Sequence, residues 1–258
     1  MERNEKIIKK DKTWIKDKIG LSNNVYFKDK IICKFFINNE FTKIYQNQEI
    51  LILKELKVFN SLEIGKNYFC AEKIDHKPFF IDNVNDKILI NCAKEIKSLH
   101  DIKINKNTKI KAPNFLDTWN FLNKQEKILQ YKDENLILKE GLKIINKDLC
   151  YANNDIVDGN ILILKDDQIK IIDYEYGGLN SKYFDLASFV VKRKLTKKQE
   201  EIFLNTYIKL TSNFDFKKFK IARIFTAYFW AKWARYKYQE TNQKIYAEIA
   251  DWLILRGE

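Results

Sequence analysis

Hydrophobic and polar positions alternate in short runs through the first third of the chain and take helical spacing afterwards. NVYFKD (24–29) and IICKFFI (31–37) are β-rich runs separated by an Asp29-Lys30 turn. QNQEILILKELKVFN (46–60) then puts Ile52, Leu56 and Phe59 on one helical face with Leu53 beside them. So residues 24–60 read as two or three strands followed by a helix. One more β-type run, NYFCAEKI (67–74), ends in the breakers Asp75, His76, Lys77 and Pro78. Helical text follows at 85–101, 115–132 and 135–149. Two short β runs, NILILKD (160–166) and QIKIIDYEY (168–176), meet at Asp166-Asp167, and everything after residue 183 reads helical. This order predicts an α+β chain with two lobes. Residues 1–75 form a small β-rich N-terminal lobe and residues 76–258 a larger, mainly helical one. The cleft between them is the expected ligand site.

Composition narrows the class. With 45 % hydrophobic and 14 % aromatic residues, the 258-residue chain can bury a real core, which excludes disorder. No apolar run approaches the length of a membrane span, and the first residues are charged throughout, so no secretory signal is expected and the expected location is cytoplasmic. The four cysteines, 33, 70, 92 and 150, form no CxxC pair and are expected to be buried, reduced thiols. The two histidines, 76 and 100, follow no nucleophile motif, which weighs against a His-based triad. A net charge of +12 raises the question of nucleic acid. However, the lysines are scattered among acidic residues rather than gathered in an aromatic-interleaved stripe. No dedicated nucleic-acid site is expected, although a basic surface attracts anionic ligands such as nucleotides.

The densest chemistry lies in CYANNDIVDGNILILKDDQIKIIDYEY, 150–176. Asp155 and Asn160 stand five apart on a loop leading into a strand, and Asp173 ends the next strand. Phosphoryl transfer needs a carboxylate to accept the proton of the attacking hydroxyl, and oxygen ligands to hold Mg²⁺ against the nucleotide phosphates. Asp155 fits the first role, Asn160 and Asp173 the second. Asp and Asn also cap turns everywhere. The combination of D-x4-N, a hydrophobic hairpin and I-D-x-E is what favours the chemistry.

Together with IIDYEYGGLNSKYFDLASF (171–189) and AKEIKSLHD (93–101), these residues resemble the choline/ethanolamine kinase family, a branch of the protein-kinase-like and aminoglycoside-phosphotransferase-like enzymes. The resemblance covers nearly the whole chain and implies a protein-kinase-like fold, ATP and Mg²⁺. In the N-terminal lobe, GLSNNVYF (20–27) resembles the family's opening turn, with Ser22 and Asn23 near the phosphates. Lys34 is placed as the strand lysine that grips them and Glu49 as its helix partner. AEKID (71–75) is placed as the connector whose backbone meets adenine, at Glu72 and Ile74. Near the C-terminus, FTAYFWAKWARYKY sets Trp230 and Trp233 at i and i+3, where the resemblance implies an aromatic box around a quaternary ammonium, with Tyr176 as a third wall and Tyr246 as a fourth. The bland alternative is an aromatic core stripe. Asp185 would organise the site, face the cation or cap a helix.

Two departures stand out. Asn153 occupies the position where relatives usually carry a histidine two residues before the catalytic aspartate, and Lys192 stands where relatives often carry a carboxylate. Asn153 can replace the histidine by hydrogen bonding. A lysine turned into a cation box would repel the substrate, so either Lys192 turns outward or the acceptor is not a quaternary ammonium. The implied activity is transfer of the γ-phosphate of MgATP to choline. Ethanolamine, thiamine or another small amino alcohol is the alternative acceptor, and a catalytically silent basic binding protein is the alternative of another class. Oligomeric state is not legible.

Overall fold

The computed structural model describes residues 13–16, 24–37, 39–45, 47–125 and 133–257. Its N-terminal region is one antiparallel sheet with two helices. Strands β1 (Ile15–Lys16), β2 (Asn24–Lys28) and β3 (Ile31–Phe35) lead into helices α1 (Glu40–Tyr45) and α2 (Glu49–Leu56). Strands β4 (Leu62–Ile64) and β5 (Tyr68–Glu72) complete the sheet in the order β1-β2-β3-β5-β4. The Asp29-Lys30 turn joins β2 to β3 as expected, with Asp29 at φ 51°, a left-handed conformation that aspartate tolerates. Helix α2 buries Glu49, Ile52 and Leu53 and stops at Lys57, whose own left-handed backbone returns its N–H to Leu53 O.

Strand β6 (Lys77–Pro78) opens the second region, followed by α3 (Asp86–Asp101), α4 (Phe115–Asn123) and α5 (Glu134–Ile145). Asn85 caps α3 by accepting the N–H of Ile88, and the helix buries Ile88, Leu89, Cys92, Ala93, Ile96 and Leu99 along one stripe. Four strands come next: β7 (Leu149–Ala152), β8 (Ile161–Ile163), β9 (Ile169–Ile171) and β10 (Gly178–Ser181). The chain closes with α6 (Lys182–Val191), α7 (Lys197–Lys209), α8 (Phe216–Thr241) and α9 (Lys244–Gly257). Helix α8 packs mainly against α9 and α6 and buries Phe225, Phe229 and Trp230 among Phe115, Trp119 and Phe184. Among the described residues, no helix is long and apolar enough to cross a membrane.

The small sheet and the larger helical region are those expected, but three local readings need correction. The run 135–149 is not helical to its end. Helix α5 stops at Ile145, Asp148 turns left-handed at φ 51°, and Leu149 begins β7, because its backbone finds a partner in β10 that lies far along the chain. Residues 40–45, taken with the strands, form α1. Finally, Cys33 and Cys70 are not free thiols. They face each other across β3 and β5 and are joined as a disulfide, a pairing that a sequence separation of 37 conceals. Cys92 and Cys150 are free and buried, and burial pushes the Cys92 thiol up to about 12.

Candidate active site

Two nested hairpins bring the site together. The outer ladder pairs β7 with β10, from Leu149 against Ser181 to Ala152 against Gly178. The inner ladder pairs β8 with β9, from Ile161 against Ile171 to Ile163 against Ile169, around the Asp166-Asp167 turn. Between the ladders lie two facing segments, 153–160 on the way in and 172–177 on the way out, joined by Ile172 N donating to Asn160 O at 3.0 Å. Asp155 and Asn160 sit on the first segment, Asp173, Glu175 and Tyr176 on the second. Asp173 holds φ 59° and Asn154 φ 64°, so the chain reverses on residues that tolerate a left-handed backbone. Of the candidate site residues, Asp173 is thus a turn residue as well.

On this frame Lys34 reaches over from β3. Its ammonium is 2.7 Å from Glu49 Oε2 and 2.7 Å from Asp173 Oδ1, although 139 positions separate Lys34 and Asp173 in sequence. Glu49 Oε1 also accepts the N–H of Tyr174 at 3.2 Å, which ties α2 to the second segment. Burial alone would lower the Lys34 pKa, but the carboxylates of Asp173, Glu49 and Glu175 outweigh it and raise the value. One ammonium does not neutralise three carboxylates. Burial, with Asp173 adding repulsion, pushes Glu49 up to about 7 and Glu175 up to about 8, against the pull of Lys34.

These raised values fix the sign of a pH effect. Between the ordinary 4.5 and about 8, the folded chain holds the Glu175 proton more tightly than the unfolded chain does, so ionisation costs stability as pH rises. Glu175→Gln removes that cost. Its melting temperature, measured against the wild type by calorimetry, should gain on the wild type from about pH 5 to about pH 8. A wild-type advantage that grows with pH would instead mean that Glu175 is stabilised as a carboxylate.

A divalent cation placed here would relieve this crowding by favouring the ionised carboxylates. Among the described residues no group of three or more His, Cys, Asp or Glu forms a ready metal cage. Mg²⁺ is usually held by one or two side-chain oxygens, water and phosphate, and Asn160 with Asp173 fits that pattern. Asn160 donates through Nδ2 to Asp155 O at 2.8 Å, which leaves Oδ1 as the atom that would face a metal ion.

The loop bearing Asp155 is held from behind. Asn153 donates through Nδ2 to Ile172 O at 3.2 Å and Asp173 O at 2.9 Å, and its Oδ1 accepts the N–H of Asp155 at 3.1 Å. It therefore stitches the two facing segments together by hydrogen bonding. Asp185, fully buried in α6, accepts the N–H groups of Asn153 at 2.9 Å and Asn154 at 2.6 Å, and meets His100 Nε2 at 3.1 Å. Of the three roles left open for Asp185, organising the site is the one its contacts fit. It does not cap α6, whose N-cap is Ser181. Asn154 and Asn180 extend this network to Tyr176 O, and His100 Nδ1 reaches Tyr207 Oη at 2.8 Å.

The aromatic residues form a continuous wall beside Asp155. Tyr176 meets Trp230 edge to face at 5.1 Å between centroids, Trp230 meets Trp233 at 5.7 Å, and Trp233 meets Tyr246 at 5.9 Å. Phe41 and Tyr45 of α1 pack on Tyr176, and Tyr45 Oη donates to Tyr176 O at 3.1 Å. Trp230 belongs to the core by burial, yet its indole N–H has no acceptor among the described residues. Buried indoles ordinarily find one. Lys192 does not turn outward. Its ammonium bonds Asp155 Oδ1 and stands 3.7 Å from the centroid of the Trp230 ring. Burial lowers its pKa, while Asp155 works in the opposite direction.

Other expected residues are less engaged. Glu72 ends β5, exposed and bonded to Asn60 Nδ2 at 3.0 Å, and Ile74 O faces His76 Nδ1 at 2.8 Å in the connector. Ser22 and Asn23 lie outside the described residues. The reading of the sequence missed Phe41 and Tyr45. Their only signal was an aromatic pair at i and i+4, FTKIY, which marks a helical face.

Comparison with known proteins fits this geometry. The family model described as choline/ethanolamine kinase matches residues 69–255. The chain belongs to that family. Among solved structures, choline kinase LicA from Streptococcus pneumoniae is similar with a TM-score of 0.72 at 18 % identity, covering 98 % of this chain and 97 % of that one. The gentamicin-APH(2")-IIa complex is similar at 0.67 and 12 %, covering 99 % and 95 %. At these identities the likeness establishes a kinase-like fold. Protein LicA of Haemophilus influenzae is 39 % identical over 80 residues, which is 30 % of this chain and 23 % of that protein. The match thus spans less than a third of that relative. A LicA homolog of Mycoplasma capricolum is 24 % identical over 200 residues, 70 % of this chain and 81 % of the homolog.

Proposed function

We propose that the chain is an ATP-dependent phosphotransferase that moves the γ-phosphate of MgATP to the hydroxyl of choline, giving phosphocholine and ADP. The observation that carries this reading is the convergence of Asp155, Asn160, the Lys34–Glu49–Asp173 cluster and the Tyr176–Trp230–Trp233 wall on one pair of facing segments. Family membership supports the reaction class, and a related structure of LicA in complex with AMP supports a nucleotide. Residues 1–75 then carry the nucleotide, with Ser22, Asn23, Glu72 and Ile74 around it, and residues 76–258 carry the acceptor.

In this scheme Lys34, fixed by Glu49, binds the phosphates. Asn160 and Asp173 hold Mg²⁺, which when bound offsets phosphate charge during transfer. Asp155 orients the acceptor hydroxyl and takes its proton as the oxygen attacks the γ-phosphorus and the bond to the bridging oxygen of ADP breaks. With Lys192 moved off it, the face of Trp230, together with Trp233, Tyr176 and Tyr246, receives the ammonium, which has no hydrogen to donate when it is quaternary. Asn153 and Asp185 fix the loop, so that catalysis is positioning and electrostatics.

The test is acceptor-dependent ADP release with choline, ethanolamine, thiamine and an aminoglycoside. Choline should give turnover, and Trp230→Ala should raise the KM for choline by about tenfold, the loss of one desolvated cation–π face, while leaving the KM for ATP near its wild-type value. Turnover with a different acceptor would retain the fold and the base but discard the quaternary-ammonium reading. No turnover with any of the four would favour the silent binding protein. Equal loss of both affinities would make Trp230 core.

A further inference from the structure

The site that should receive the acceptor already holds a cation. Lys192 caps the C-terminal end of α6, with its N–H on Ser188 O at 3.2 Å. Its side chain turns back into the protein and is only 9 % exposed. There the ammonium makes two contacts with one atom, the Asp155 carboxylate and the face of Trp230 at 3.7 Å. These are the two contacts that a small amino alcohol must divide between its hydroxyl and its ammonium. Two sets of heavy atoms cannot share that space. The neighbouring Arg193 ties this corner to the backbone, at Ile156 O (2.9 Å) and Phe189 O (3.0 Å). A four-carbon stem on the last turn of a helix is flexible.

We infer that Lys192 is a tethered cation that occupies the acceptor pocket on Asp155 and Trp230 and is displaced by the incoming acceptor. This rests on reading the aromatic pocket as the acceptor site. The lysine imitates the chemistry of the ligand: a cation on an indole face beside a carboxylate. In the empty enzyme it keeps Asp155 paired and the pocket filled. An acceptor must therefore out-compete an internal ligand before it binds, and the cost of expelling Lys192 is subtracted from the affinity of every occupant, charged or not. A lysine that stood clear of the ligand and acted only by repulsion would penalise cations alone. A lysine that served the transferred phosphoryl group would be needed for tight occupancy of the site, not opposed to it.

Those alternatives separate in a binding experiment that needs no turnover. Tetramethylammonium and the uncharged 3,3-dimethylbutan-1-ol are titrated calorimetrically into the full-length wild type and Lys192→Met, whose side chain is similar in length but neutral. Both probes should bind the variant about tenfold more tightly, the size of one lost cation–π and carboxylate contact. A gain for the cation alone, or no gain for either, overturns displacement. In the wild type itself, acetic anhydride labelling of Lys192, read by peptide mass spectrometry, should be slow without ligand and faster with saturating tetramethylammonium. This readout stands even if the variant folds poorly. Rapid labelling without ligand, or protection by it, overturns the proposal. Should choline not be the acceptor, choline-dependent ADP release is absent from wild type and variant alike, while the tetramethylammonium gain persists.

Discussion

Asp155→Ala should lower kcat by about 10³-fold, the loss expected when a positioned general base is removed, and leave the affinity for a non-hydrolysable ATP analogue nearly unchanged. The two readouts separate because Asp155 does not touch Lys34, the lysine proposed to bind the phosphates. Lys34 is held by Glu49 and Asp173, and Asp155 instead pairs with Lys192. Alanine frees the Lys192 ammonium, so Asp155→Asn is the necessary companion: it keeps the volume and one oxygen, and removes the basicity. Both variants should fall together in ADP release, while equilibrium nucleotide binding follows the wild type. An Asn variant with near wild-type kcat would mean that this side chain only orients the hydroxyl. Substantial turnover in both would remove Asp155 from the chemistry.

Local signals in the sequence were enough for much of the frame. The hairpin around Asp166-Asp167, the helix that begins at Glu49 and the Lys34–Glu49 pair all depend on neighbours or on a family pattern, and each is in place. What could not be read depends on contacts between distant positions. The outer β7–β10 ladder has no periodic signature, because each strand is only four residues long and its partner lies beyond another hairpin. Cys33 and Cys70 look like isolated thiols until β3 and β5 are placed side by side. The direction of Lys192 was undecidable for the same reason. Its two partners come from a loop at 155 and from a helix at 230, and only their joint position shows that a cation is accommodated there. Trp230 illustrates the remaining ambiguity. By spacing and burial it is core, and its contact with Lys192 and an N–H without an acceptor among the described residues are what set it apart.

The same dependence on distant contacts makes Asp185 the most vulnerable residue away from the chemistry. Its carboxylate accepts two consecutive backbone N–H groups, from Asn153 and Asn154, and a contact from His100, all without exposure to solvent. A proton on His100 Nε2 satisfies that contact and leaves Nδ1 to accept from Tyr207. Asp185→Ala leaves the two N–H groups and the imidazole without their acceptor, in a place water does not reach. The expected loss is about 3–5 kcal/mol of stability, or roughly 10 °C in melting temperature for a chain of this length. A structural residue and a positioning residue would both lose stability, so kinetics must divide them. Assayed well below its melting temperature, Asp185→Ala should lose kcat while the KM for ATP holds, because the loop carrying Asp155 is released and the Lys34 cluster is not. Amide hydrogen exchange should accelerate first at Asn153 and Asn154. Unchanged kcat in the folded variant, or exchange that rises evenly across α6, would confine Asp185 to stability and leave the position of Asp155 to Asn153 alone.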